Sequence, residues 1–203
     1  MRIHLCHGIH TPEHNPAVMG LIPFLEAVGF EVLFPDYPWI AGLATRILNP
    51  IITSCIRPYL KEGDIWVGHS NGCAIGYDLM HDGAPISGAV FINGALNPRL
   101  IRPPQVRKIG VLYNSGDKIT EAAQLAEYLH LVDSSWGELG HTGYEGEDSS
   151  IENFNCDLQP GMPALYGHSD LFTPVHLAKW GPWVANYALS LYKGAQIPPA
   201  SDV

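Results

Sequence analysis

Two hundred and three residues carry 20 acidic and 11 basic side chains, a formal net charge of −9. That balance argues against nucleic acid or an anionic membrane as the main partner. An apolar content of 46% excludes a fibrous or disordered class, and a chain of this length is expected to form one domain over 1–203, burying roughly 70% of the surface exposed on unfolding.

Arg2 to Cys6 alternates like a strand and ends in the loop His7-Gly8-Ile9-His10-Thr11-Pro12. Asn15 and Pro16 then open a helix as N-cap and first helical position. Val18, Leu21, Ile22 and Leu25 give it an apolar face, and Gly29 ends it. Phe30 to Phe34 is the next strand. A helical stretch from about Leu43 to Leu60 follows, broken or kinked near Pro50 and Pro58. Ile65 to Val67 reads as a buried strand, leading through Gly68-His69-Ser70-Asn71-Gly72 into a helical pattern that carries Cys73, Ile75, Tyr77, Leu79 and Met80. Ile86 to Ile92 is an apolar strand ending at Asn93-Gly94. A short, proline-bearing connection, Ala95 to Arg107, joins it to the strand Ile109 to Tyr113 and the turn Asn114-Ser115-Gly116-Asp117. Helix reappears from Thr120 to about Leu131. The stretch 134–163 is rich in Gly, Ser, Asn and acids and is expected to be an irregular, lid-like insertion, with one or two irregular strands around Asn153 to Leu158. Ala164 to Tyr166 is read as the last strand, running into Gly167-His168. A final amphipathic helix spans about Pro174 to Tyr192, and 195–203 reads as a loose tail.

Strands separated by helices predict an α/β protein, a three-layer α/β/α sandwich around a mostly parallel sheet. A ligand site then belongs at the C-terminal edge of the strands, where glycines and polar residues collect. No internal repeat of 20–50 residues interrupts the pattern.

Gly-x-Ser-x-Gly at residues 68–72 sits between strand and helix, the context in which a serine is held on a sharp turn. Such a strained backbone needs neighbours without side chains, which Gly68 and Gly72 supply. The turn raises Ser70 Oγ above the sheet and leaves the N–H of Asn71 facing a developing oxyanion. A serine nucleophile also requires a base, and the base an orienting carboxylate. Post-strand positions offer them in the order Ser70, Asp117, His168.

With that order of residues the chain resembles the α/β-hydrolase superfamily, along nearly its whole length in element order and tightly around four short motifs. The resemblance implies Ser70 as nucleophile, Asp117 as acid and His168 as base. It also implies His7-Gly8-Ile9 as the loop whose Ile9 N–H completes the oxyanion hole with Asn71; His7, Gly8, Gly68, His69 and Gly72 support the site. The middle and late parts are also similar to small serine-hydrolase-like proteins of bacteria and their phages. Against the family pattern, the leading antiparallel strands are missing and Ala95 to Arg107 is too short for a cap domain. A minimal, cap-less α/β-hydrolase fold with an open site is therefore expected.

Several assignments have rivals. Asp117 has a second reading as the cap of the helix near Thr120, with Asp133, Asp148 and Asp157 as fallback acids. His141 and His176 compete with His168, although His176 lies inside the last helix. Ser169 lacks the glycine that would make it a second nucleophile. His4, His7, His10 and His14 share one segment without a fixed ligand spacing, so no metal is expected, and no cofactor. Trp39, Trp180 and Trp183 read as core or rim packing; exposed tryptophans and the tail would be available for an interface. The acids from Asp117 to Asp157, set against Lys118, read as a solvated face.

Cys6, Cys55, Cys73 and Cys156 are widely spaced with no C-x-x-C and read as reduced thiols. With no signal peptide expected ahead of the first strand and no apolar run of membrane-spanning length, the location is read as cytoplasmic. The resulting expectation is a serine hydrolase cleaving a carboxylic ester, small-molecule or polymeric, through an acyl-enzyme. A thioesterase or acyltransferase would use the same parts, and a non-catalytic binding protein on the same fold is the alternative of a different class. Oligomeric state is not legible.

Overall fold

Parallel strands can be joined only by connections that cross back over a face of the sheet, so a chain of alternating strands and helices buries its strands on both sides. The computed structural model of this protein describes residues 1–8, 17–34, 49–120 and 137–194. It contains one sheet of β1 (Arg2–Cys6), β2 (Glu31–Leu33), β3 (Asp64–His69), β4 (Ile86–Ile92), β5 (Lys108–Tyr113) and β6 (Ile151–Asn155). The spatial order is β2-β1-β3-β4-β5-β6, and every neighbouring pair is parallel.

One face packs α2 (Asn49–Ile56), α3 (Asn71–His81) and α4 (Leu139–Thr142) over Cys6, Trp66, Ala89, Phe91 and Val111. The other packs α1 (Ile22–Ala27) and α5 (Pro174–Lys193) over Ile3, Leu5, Ile65, Val67, Val90 and Leu112. The period-2 alternation of each strand divides its residues between the two cores. In β4 the alternation slips. The register pairs Asp64 with Ile86 but Ile65 with Gly88, so Ser87 is an extra residue that returns Ala89 and Phe91 to the α3 face.

Between β1 and β3 the connections leave in opposite directions, since β1 leads out to β2 on one side and β3 starts on the other. Such a switch point opens a crevice at the C-terminal ends of its two strands. Gly8 follows β1 there and Ser70 follows β3.

Most elements lie where the pattern predicts them, and the differences have local causes. The first helix becomes a 3-10 turn, Ala17–Leu21, followed by α1, because Pro23 has no N–H with which to start an α register earlier. Pro50 lies in α2 one residue after its first described residue, and Pro58 falls in the 3-10 turn Arg57–Tyr59 that follows it; residues 43–48 lie outside the described set. Within 134–163, α4 and the edge strand β6 are regular elements, with β6 in unbroken parallel register with β5. Ala164 to Tyr166 is not a strand, so His168 reaches the site on a loop. Trp180 and Trp183 are buried in α5 and form no exposed interface. His4 is buried beside Trp66 and bonds Asp64 Oδ2 at 2.7 Å, with Arg2 3.2 Å from the same oxygen. Burial holds the His4 imidazole below its ordinary pKa, outweighing the nearby carboxylate. All four cysteines are free thiols. Among the described residues no helix is long and apolar enough to cross a membrane.

Trp66 ties the central strand to the helix that carries the site. Its Nε1 donates to the Gly72 carbonyl at 3.0 Å, and a Cβ on Gly76 would lie 2.2 Å from that nitrogen. Because Trp66 is fully buried it cannot yield. Gly76→Ala should therefore destabilise the protein by about 1–3 kcal/mol, read from urea unfolding midpoints.

Candidate active site

The turn after β3 is assembled by direct backbone contact. Ser70 has φ 55° and ψ −124°, a conformation that non-glycine residues rarely adopt. It is retained because the surroundings over-determine it. The Ser70 N–H continues the sheet to the Ile92 carbonyl at 3.0 Å, and the Ser70 carbonyl accepts the Cys73 N–H at 3.0 Å. A Cβ on Gly68 would meet the Gly72 carbonyl at 2.6 Å, and one on Gly72 would meet the Cys6 carbonyl at 2.3 Å. From the β1 side, a Cβ on Gly8 would lie 2.5 Å from Ser70 Cβ and 2.8 Å from its Oγ. The loop after β1 is thus pressed onto the serine, as the switch-point topology requires. Asn71 is the first residue of α3, where an N–H has no partner within the helix. Its side chain bonds Asn49, with Nδ2 donating to Asn49 Oδ1 at 3.1 Å. Ile9 lies outside the described residues, so its place in an oxyanion hole is not located. His7 stacks on Phe34 with ring centroids 5.6 Å apart, and its Nδ1 lies 2.6 Å from the Gly8 carbonyl; His10, His14 and Trp39 are outside the described set.

Asp117 and His168 come together across the next crevice. His168 Nδ1 lies 2.8 Å from Asp117 Oδ2 and 3.0 Å from Oδ1. A carboxylate only accepts, so the Nδ1 position carries the proton. The close approach is made possible by Gly116, where a Cβ would fall 1.9 Å from the Tyr166 carbonyl oxygen. Asp117 is wholly buried, and its Oδ1 also accepts the N–H groups of Ile119 and Thr120 at 3.1 and 3.2 Å. The capping role and the imidazole partner are therefore one residue in one geometry. Of the fallback acids, Asp148 bonds Arg102 at 2.8 Å and Asp157 accepts the Ser115 N–H at 2.9 Å; Asp133 is not described. His176 Nδ1 bonds Thr173 Oγ1 at 2.6 Å at the start of α5, and so is a helix-end residue rather than a core one.

The His168 carbonyl receives two donors, His69 Nε2 at 3.0 Å and Asn93 Nδ2 at 2.7 Å. The His69 ring packs against that of His168 with centroids 4.7 Å apart, and edge-on to Phe172 at 4.8 Å. Burial, reinforced by the neighbouring His168, pushes the His69 pKa down to about 3. His69 is therefore neutral at pH 7, with its proton on Nε2. Ser70 Oγ and His168 are not joined by a hydrogen bond in this structure. Asn93 and its partner Asn114 were outside the sequence-derived set. Their one signal is Asn93-Gly94 at a strand end, because asparagine tolerates the left-handed backbone that Asn93 adopts at φ 46°.

Comparison with known proteins places the fold. No protein-family model matches the chain, and no curated protein matches it in sequence. Among solved structures it is similar to a monoacylglycerol lipase from Paleococcus ferrophilus, at 15% identity and a TM-score of 0.54, covering 94% of each chain. An esterase from Pyrococcus furiosus aligns at 13% identity and TM-score 0.53 over 92% of this chain and 80% of its own. A protein from Xanthomonas campestris assigned to the hydrolases of the α/β superfamily aligns at 13% and 0.52 over 95% and 97%. The six-stranded parallel sheet with helices on both faces is the α/β-hydrolase fold.

A histidine whose folded pKa lies below its unfolded one contributes stability above about pH 6.5 that is lost as pH falls. With a folded value of about 3, His69 should remove about 2 kcal/mol of stability between pH 7 and pH 5. His4 acts in the same direction. Urea unfolding at both pH values should show this loss, and His69→Gln should show a smaller one.

Proposed function

We propose that this protein is a serine hydrolase that cleaves carboxylic esters through Ser70, His168 and Asp117. The observation that carries the reading is the strained Ser70 backbone, at the switch point of an α/β-hydrolase fold, on the same sheet edge as a buried Asp117 paired with a half-buried His168. Backbone strain of this kind is sustained where surrounding contacts hold a functional group in place. The names borne by the fold's solved relatives, esterase and lipase, favour esters over other acyl compounds.

In this reading Ser70 Oγ attacks the ester carbonyl carbon while His168 Nε2 takes its proton. Asp117, hydrogen-bonded at Nδ1, holds the imidazole tautomer and stabilises the imidazolium. The N–H groups of Asn71 and Ile9 receive the oxyanion, each worth about 10²–10³ in rate. The carbon–oxygen bond to the leaving group then breaks, and His168 returns its proton to the departing alkoxide. Water, giving its proton to His168, attacks the acyl carbon; Ser70 leaves with that proton and the acid is released. The serine–imidazole hydrogen bond closes on substrate binding, as such bonds commonly tighten from the free enzyme. No cofactor enters these steps. The connection Ala95 to Arg107 between β4 and β5 holds no helix, consistent with an open, cap-less site. The four free thiols fit a reducing, cytoplasmic location.

A fluorophosphonate probe should label the wild type and neither Ser70→Ala nor His168→Ala. On a chromogenic ester, Asp117→Asn should lower kcat by about 10⁴-fold, since the wrong imidazole tautomer would predominate. A folded wild type that stays unlabelled would overturn the proposal and leave a binding protein on this fold.

A further inference from the structure

Resting on the reading above, we infer that Asn93 is a positioning residue that fixes the catalytic imidazole by its backbone. Asp117 secures one ring nitrogen of His168, but a ring held at one edge still follows the movements of its own Cα. Here that Cα lies on a loop without regular secondary structure between β6 and the 3-10 turn Asp170–Phe172, so no sheet ladder restrains it. The restraint comes from two buried side chains that converge on the His168 carbonyl oxygen, Asn93 Nδ2 at 2.7 Å and His69 Nε2 at 3.0 Å.

Asn93 is itself held on every side. It is 1% exposed, and its φ of 46° turns the chain sharply out of β4. Its N–H bonds the Leu112 carbonyl at 3.0 Å, and a Cβ on Gly140 would lie 2.6 Å from its carbonyl carbon. Asn93 Oδ1 accepts from Asn114 Nδ2 at 3.3 Å, which leaves Nδ2 as the atom that faces His168. Asn114 Nδ2 also lies 3.5 Å from the Gly167 carbonyl, so consecutive peptide groups of the base's loop are gripped by one amide relay. Asn114 is fully buried, and its Oδ1 finds no hydrogen-bond donor among the described residues.

Ser70 and Asn93 are the two non-glycine residues with positive φ among the described residues, and they follow adjacent strands, β3 and β4. One carries the proposed nucleophile; the other holds the loop of its base. Misplacing a reacting group by about 1 Å costs on the order of 10²-fold in rate. That is the loss expected when the amide is removed.

Chromogenic-ester kinetics would be measured for the wild type, Asn93→Gly, His168→Ala and the double variant, with thermal unfolding as the folding control. Asn93→Gly tolerates the same left-handed backbone and removes the side chain, its amide included. It should lower kcat by about 10²-fold with KM nearly unchanged. On top of His168→Ala it should change the residual rate by less than about 2-fold, because a residue acting through His168 has nothing left to act on. Equal losses in both backgrounds, or wild-type kcat in folded Asn93→Gly, would overturn the inference while leaving the triad in place. No turnover by the wild type, or none lost in His168→Ala, would remove the triad and the inference with it. Should Asn93→Gly fail to fold, Asn93→Asp carries the same expectations: it preserves the acceptor for Asn114 but sets an oxygen against the His168 carbonyl.

Discussion

The structure depends on backbone meeting backbone at the C-terminal edge of the sheet. Where β1 and β3 end, the loop after one strand and the turn after the other approach so closely that no Cβ fits at Gly8, Gly68 or Gly72. This crowding, together with the hydrogen bonds from Ser70 to Ile92 and from Cys73 to Ser70, holds the serine in a conformation it would not choose alone. Trp66 extends the constraint inward by bonding the first turn of α3 from beneath. The strain at Ser70 is therefore offset both by the contacts of the turn and by the packing of the central strand and its helix.

A second consequence of the same geometry is electrostatic. His69 precedes the serine, and its ring lies against that of His168. Two imidazolium ions at this distance would repel, and burial keeps His69 neutral far below pH 7. A neutral ring can donate to the His168 carbonyl without opposing a positive charge on the His168 ring. Asp117, wholly buried, uses one carboxylate to close a helix start and to pair the imidazole, so two backbone N–H groups fix its orientation toward His168.

Much of this was legible in the residues. Glycines spaced around Ser70 predicted the turn because an apolar strand and a helical pattern flank them; the spacing alone is common in glycine-rich turns. Asp117 and His168, singled out by their order along the chain, do pair with each other, although the strand expected ahead of His168 is a loop. The supports were less visible. β6 reads as an irregular part of an acidic, glycine-rich stretch, since an edge strand buries little and needs no continuous apolar run. Ala164 to Tyr166 reads as a strand because a short apolar run looks alike in a strand and in a packed loop. Trp180 and Trp183 announced an amphipathic helix but not how deeply it would sit.

Residue pattern alone was enough for the α/β class, for the crevice at the strand ends and for the turn that holds Ser70, because periodicity and turn chemistry are local properties. Which acid reaches which histidine emerges from the packing of distant loops, as does the need for Gly116 to lack a side chain where they meet. The same holds for the closure of Asn93, Asn114 and His69 around one carbonyl oxygen. These contacts join residues 21 to 99 positions apart. No pattern along the chain encodes such distances; they are set by the order in which parallel strands stack and by how closely their loops are forced together.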